Sequence, residues 1–247
     1  MAKLLPNNKI IGSLGNVSFK ELNGATILQS KPGKGGVKQT KNTKKAATNF
    51  GQCSSEASKM VRSWQSIILQ YQDSQMGYRF RSTLYNSMLS KPMPPGSMRS
   101  LADVTFSDLN GFEFNTQSLF SHYCRISIQC AITASRKISI CIASCEAATS
   151  ISWPTNASKA TLCLFLNNPF ISNTNENTEL LQIDIPNRNY IIPSEEVELA
   201  LPKTKTVIAV VGCIFFYTDM LHSQPVCINN KQLHPVQLLH IQLVERP

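Results

Sequence analysis

The spacing of apolar residues changes once along this chain, near residue 100, and that change limits what it can fold into. Before it, Phe50, Cys53, Ala57, Met60, Val61, Trp64, Ile67, Ile68 and Tyr71 recur at intervals of three and four. Such an interval lines one face of a helix. The spacing predicts a helix from about Lys41 to Tyr71. A second is predicted from about Met76 to Leu89, with Phe80, Leu84, Tyr85 and Met88 as its stripe and Asp73-Ser74 as its cap. Two such stripes pack as an antiparallel pair across a short link. Lys91 to Gly96, with three prolines, then ends the helical part.

After about residue 112 the interval is two. Cys124, Ile126, Ile128, Cys130 and Ile132 alternate with other residues, as do Ile138, Ile140 and Ile142, then Leu162, Leu164 and Leu166, and finally Leu239, Ile241 and Leu243. Val207–Tyr217 is a nearly continuous apolar strand, with Gly212 read as a possible bulge. Short strands broken by Pro, Asn and Ser clusters predict an antiparallel sandwich of immunoglobulin-like type. Asn167–Asn177 reads as a loop, and Glu195-Glu196-x-Glu198 as a solvated turn. Trp153 reads as a core plug.

Ahead of both parts lies a hairpin. Asn23-Gly24 is the preferred pair for a two-residue turn, because both central residues need positive φ. Pairing Leu22 with Ala25 puts Phe19 opposite Leu28 and Val17 opposite Ser30. Val17, Phe19 and Leu28 then share an apolar face. A lone hairpin is only marginally stable, so that face needs a partner. The fold expected is therefore α+β: a hairpin and basic connector (1–40), a helical pair (41–100) and a sandwich (101–247).

Charge divides the chain at the same place. Residues 1–100 hold 15 Lys and Arg against 3 Asp and Glu, and residues 101–247 hold 9 against 12. Six lysines and no acid lie between 31 and 45. Lys31, Lys34, Lys38, Lys41, Lys44 and Lys45, with Lys59 and Arg62 on the helix, form a basic arm. It suits phosphate backbones or acidic protein surfaces, or serves as a solvated linker. Gly-Lys-Gly-Gly lacks the spacing of a phosphate loop.

No catalytic residue, metal site or cofactor is expected. The eight cysteines form no C-x₂-C pair, and they read as small apolar residues. His222, His234 and His240 lie near Asp219 and Cys227, so a Cys–His pair is conceivable. No nucleophile elbow, H-E-x-x-H or Gly-rich cofactor turn accompanies it. No apolar run reaches the roughly 18–20 residues of a membrane helix. The first residues lack the apolar stretch of a signal peptide, so a cytoplasmic or particle-bound location is expected.

The stretch Gly12-Ser13-Leu14-Gly15-Asn16-Val17-Ser18-Phe19-Lys20, the Asn23-Gly24 turn and Lys31 to Gly36 resemble the opening of an uncharacterised family abundant in Bacteroidota. Its members begin with a G-x-[IL]-G-N-[LV]-S-F hairpin. Thr43 and Thr48-Asn49-Phe50-Gly51, Leu109-Asn110-Gly111-Phe112-Glu113-Phe114-Asn115, Trp153-Pro154 with Ala157 and Ala160, and Gly212 to Tyr217 are similar to later motifs of that family. The resemblance implies a hairpin-plus-helix unit followed by a sandwich, and brings no activity with it. The layout is similar to that of self-assembling, phage-derived structural proteins.

Three functions follow as expectations. The first is a non-enzymatic structural protein that assembles with its own copies, using Val17, Phe19 and Leu28 as interface and the basic arm as connector. The second is nucleic-acid binding through the basic first hundred residues. The third is a sandwich that binds a glycan or protein through Trp153, Tyr190 and the 167–177 loop. No small-molecule ligand is expected.

Overall fold

A computed structural model describes residues 2–6, 9–22, 24–31, 33, 36, 38–94, 96–170, 178–202, 204–219 and 224–245. The chain is α+β, with antiparallel strand pairing throughout the described residues. It divides into two compact units, Met1–Ala47 and Thr48–Pro247.

The first unit is a four-stranded meander of β1 (Lys3–Leu4), β2 (Ile10–Leu14), β3 (Val17–Leu22) and β4 (Ala25–Ser30), paired in that order. The β3–β4 register is the expected one: Leu22 faces Ala25, Phe19 faces Leu28 and Val17 faces Ser30. Asn23 lies outside the described residues, and Gly24 has φ 82°. A second two-residue turn, Gly15-Asn16, joins β2 to β3, with φ 54° at Gly15. A side chain is strained at such a φ, so glycine is suited to both turns.

Helix α1 (Lys41–Ser63) starts at Thr40, whose Oγ1 accepts from the Thr43 N–H at 3.2 Å. The long helix expected to reach Tyr71 does not run straight through. It breaks at Trp64, restarts as α2 (Gln65–Ile68), and ends where Leu69 and Gln70 take φ of 54° and 61°. Helix α3 (Met76–Ser90) follows. Asp73 does not cap it directly. Its Oδ1 accepts from the N–H of Gln75, the residue before the helix, at 2.8 Å. The two apolar stripes meet as expected. Phe50 lies edge-on to Tyr85 at 5.4 Å, and Trp64 edge-on to Phe80 at 5.7 Å.

Two short 3₁₀ turns, Leu101–Asp103 and Phe106–Leu109, lead into β5 (Phe112–Glu113) and α4 (Phe120–Tyr123). Then come β6 (Ile128–Ile132), β7 (Lys137–Ile142), β8 (Cys145–Glu146), α5 (Ala147–Ser150), β9 (Lys159–Asn167), β10 (Thr178–Ile185), β11 (Ile191–Ile192), β12 (Glu195–Ala200), β13 (Thr206–Thr218), β14 (Val226–Cys227) and β15 (Val236–Val244). The large sheet runs β10-β9-β13-β15-β5, with β14 on β13, and the small one β12-β7-β6.

Alternation along β13 sorts its side chains into two cores. Val207, Ala209, Val211 and Cys213 join the helices, with Met60, Trp64, Phe80 and Leu84. Ile208, Val210, Ile214 and Phe216 join Ile138, Ile140 and Ile142 of β7. The large sheet is thus covered on both faces, by helices and by the small sheet. That is why its strands read as apolar on both sides.

Several expectations need correction. The strand expected from Cys124 begins only at Ile128, because Cys124 makes an isolated bridge to Ile151. Glu195, Glu196 and Glu198 lie in β12, not in a turn. Asn167 ends a strand and Asn168 is buried, so the loop begins later, and 171–177 lie outside the described residues. The irregularity near Gly212 lies in its neighbour. Val210 faces His240 and Val211 faces Leu238, so Leu239 is the extra residue. Leu239 packs in one core while Ile241 and Leu243 pack in the other. Gly212 makes room for it, since a Cβ there would lie 2.7 Å from Leu239 Cδ1 and 3.1 Å from Phe120 Cζ.

Candidate assembly surface

In an antiparallel sheet, residues directly opposite each other project from the same face. The registers of β1 to β4 therefore place Leu4, Ile10, Gly12, Leu14, Val17, Phe19 and Leu28 on one face, with Thr26, Ser30 and the Lys9-paired Glu21 along its β3–β4 side. Val17, Phe19 and Leu28 come together as expected from sequence. Leu4, Ile10 and Leu14 extend the face beyond the expected hairpin. Leu4, Leu14 and Leu28 are 68%, 67% and 63% exposed, while Ile10, Val17 and Phe19 are half-buried. The other face alternates apolar with polar positions, among them Lys3, Ser13, Ser18, Lys20 and Gln29.

The basic residues take several positions. Lys31 is tied back to the sheet, its N–H donating to Asn16 O at 2.6 Å and its ammonium to Gly15 O at 3.3 Å. Lys38 is exposed, and Lys34 lies outside the described residues. Lys41, Lys44 and Lys45 fall in the first turns of α1, with Lys45 half-buried. Lys59 and Arg62 are exposed near its end, and Lys59 pairs with Glu56 at 2.8 Å.

The titratable groups of the second unit are built into its packing. His234 is buried between Tyr71 and Phe215. Its Nε2–H donates to Ile67 O at 2.8 Å, and its Nδ1 accepts from Asn229 Nδ2 at 3.0 Å. Asn229 is held by the Phe216 N–H and by Ile214 O. Burial lowers the pKa of His234. The thiol beside it is Cys213, 4.0 Å away, not the expected Cys227. Burial holds the Cys213 pKa well above the ordinary thiol value, and raises Cys53, Cys130 and Cys163 to about 11 and Cys124 to about 12. A thiol so shifted is a poor nucleophile at neutral pH. Asp219 pairs with Lys159 at 3.0 Å, and His222 lies outside the described residues. No group of three or more His, Cys, Asp or Glu suited to a metal ion is found among the described residues.

Trp153 is half-buried. Its Nε1–H donates to Ala147 O at 3.0 Å, and Arg188 lies over its ring at 5.8 Å. The ring is engaged within the fold and is not an open stacking platform. The residues from Leu109 to Asn115 also serve packing. Leu109, Phe112 and Phe114 are buried, Asn110 Oδ1 accepts from Ile241 N–H at 2.8 Å beside the bulge, and Asn115 donates to Tyr71 O and Lys231 O.

No helix among the described residues is long and apolar enough to cross a membrane. No family model, curated protein or solved structure matches the chain.

Proposed function

We propose that this chain is a non-enzymatic structural protein that assembles with copies of itself through the apolar face of its N-terminal sheet. One observation carries the reading: six apolar side chains from four strands share one face, and three of them are more than half exposed. A contiguous apolar patch rimmed by polar residues marks an interaction site. Fully burying one leucine or phenylalanine contributes roughly 1.5–3 kcal/mol. The same proposal places the chain with the hairpin-bearing Bacteroidota proteins it resembles, and gives it a phage-like structural role. It treats the apposed sheets of the second unit as an immunoglobulin-like sandwich, supported by their shared core of Ile138, Ile140, Leu162, Leu164, Val210 and Ile214.

Sedimentation velocity of the purified chain over a range of concentrations tests the assembly reading, with electron microscopy of the larger species. The expected result is concentration-dependent growth that Phe19→Lys abolishes. A chain that stays monomeric at high concentration, or a Phe19→Lys chain that assembles equally well, overturns it.

Nucleic-acid binding is the second reading. It draws support from the placement of cations on α1. Lys41, Lys44 and Lys45 fall together in its first turns. Its test is salt dependence, because each phosphate contact to duplex DNA contributes roughly 0.9 to the log–log slope. A flat response between low and moderate salt removes this reading.

A further inference from the structure

Strand edges are where sheets join other sheets, and most edges in this chain are guarded. β1, β5, β8 and β11 are two residues long. β12 carries Glu195, Glu196 and Glu198, and β10 carries Glu179 and Asp184. Short length and charge are the usual protections of an edge. β4 and β6 have neither. Ala25–Ser30 and Ile128–Ile132 contain no charge and no proline. Among the described residues each pairs on one side only, β4 with β3 and β6 with β7.

Backbone hydrogen bonds show which groups point outward. Ser127 O accepts from Ala143 N–H, and Thr133 N–H donates to Lys137 O. Successive residues of a strand direct their N–H and C=O to alternate sides. Ile128, Cys130 and Ile132 therefore direct theirs away from β7. In β4 the Lys31 N–H points to Asn16 O, so Thr26, Leu28 and Ser30 direct theirs away from β3. Each edge offers three outward donors and three outward acceptors.

The side chains of these residues match as well. Ile128, Cys130 and Ile132 stand opposite Ile142, Ile140 and Ile138, which are at most 2% exposed, yet are themselves only half-buried. The sandwich core runs out at this edge. Thr26, Leu28 and Ser30 lie on the apolar face of the N-terminal sheet.

We propose that β4 of one copy adds antiparallel to β6 of a second copy, with Leu28 opposite Cys130, Thr26 opposite Ile132 and Ser30 opposite Ile128. This register engages all the outward groups at once. It also makes the apolar face of the first copy's N-terminal sheet continuous with the exposed margin of the second copy's core. The inference rests on the assembly reading above and specifies its geometry. Donor and acceptor edges differ, so the contact is head to tail and builds a ring or a filament.

The test uses the full chain carrying Leu28→Cys, with native Cys130 as its partner. Copper(II)-phenanthroline at mildly alkaline pH, which ionises more of the raised Cys130 thiol, is the oxidant, taking two electrons from the two thiols, which lose two protons as the S–S bond forms. Non-reducing electrophoresis should show a ladder of dimers, trimers and larger species, with mass spectrometry placing the link at 28–130. Cys130→Ser on the same background should remove the ladder. A 28–28 link that survives Cys130→Ser, or a 28–130 link within a monomer, overturns the proposal. Larger species on sedimentation without any 28–130 link overturn the edge pairing and leave assembly standing. A monomer under all conditions overturns both. As a second variant, Cys130→Pro removes an outward N–H and leaves the bonds to β7 in place. It should keep its far-UV circular dichroism and lose the larger species; undiminished assembly overturns the proposal.

Discussion

The indole N–H of Trp64 donates to Asn167 Oδ1 at 2.9 Å, joining the helix break to the last residue of β9 across 103 positions of sequence. Trp64 is fully buried, edge-on to both Phe80 and Phe114. A buried acceptor stripped of its donor costs roughly 1–3 kcal/mol. Trp64→Phe should therefore destabilise the second unit by about 2–4 kcal/mol, the lost packing included. Because the two residues share one bond, Trp64→Phe combined with Asn167→Leu should cost less than the sum of the single changes. Urea denaturation of the four chains measures this, and strict additivity would show that the bond has no energetic role.

Gly212 and Leu239 make a second pair that cannot be altered independently. Adding a methyl at 212 sets it 2.7 Å from Leu239 Cδ1 and 3.1 Å from Phe120 Cζ. Overpacking of this kind costs roughly 1–3 kcal/mol. Gly212→Ala should lower the urea midpoint, and Leu239→Ala should recover part of the loss when combined with it.

Much of the second unit was legible because β7, β9 and β13 carry an interval of two with apolar residues of the right size. The parts that were not legible have local causes. Leu239, Ile241 and Leu243 look like one face in sequence, but the extra residue at Leu239 shifts the phase, and only pairing with β13 reveals it. The apolar stripe of α1 continues through Trp64 to Ile68, and nothing in that spacing announces the left-handed turn at Leu69 and Gln70. That turn frees the Ile67 carbonyl for His234, 167 residues away. Glu195, Glu196 and Glu198 looked like a turn by charge alone, yet Val197 and Leu199 stand opposite the buried Ile140 and Ile138 and alternate with the exposed Glu196 and Glu198. On the apolar face of the N-terminal sheet, Val17, Phe19 and Leu28 were found through Asn23-Gly24. Leu4, Ile10 and Leu14 were missed, although Gly15-Asn16 is a turn pair of the same kind and marks their strand.

His234 should make the second unit sensitive to mild acid. Its Nδ1 accepts from Asn229 Nδ2, and Asn229 cannot turn over, because Oδ1 accepts from Phe216 N–H at 2.7 Å and Nδ2 donates to Ile214 O at 2.9 Å. A proton on Nδ1 would set two donors face to face. The folded pKa lies below the unfolded value of about 6.5. The stabilisation is therefore complete above that value and is lost as pH falls through it toward the folded pKa. His240, also lowered by burial, acts in the same direction. Glu113, raised by burial, acts in the opposite one. Denaturation midpoints of the native chain and of His234→Gln, measured from pH 7.5 to 5, separate these contributions. The native chain should lose stability more steeply than the variant, and parallel curves would remove His234 from the account.

The two faces of the N-terminal sheet give the sharpest test of the assembly surface. Leu14 lies on the apolar face and Ile27 on the other, at 67% and 41% exposure. Both are apolar strand residues with a good part of the side chain in water, so Leu14→Lys should change stability by no more than about 0.5 kcal/mol, and Ile27→Lys, directly opposite Lys20, by up to about 1 kcal/mol. Their effects on association should differ. Leu14→Lys places a charge among Leu4, Ile10, Val17, Phe19 and Leu28, where a second copy would have to desolvate it. Ile27→Lys stands opposite Lys20 on the other face, away from those apolar side chains. In sedimentation at matched concentration, Leu14→Lys should run as monomer and Ile27→Lys should assemble as the unaltered chain does. If both assemble, the apolar face is not the contact. If Ile27→Lys alone fails, the contact lies on the opposite face of the sheet.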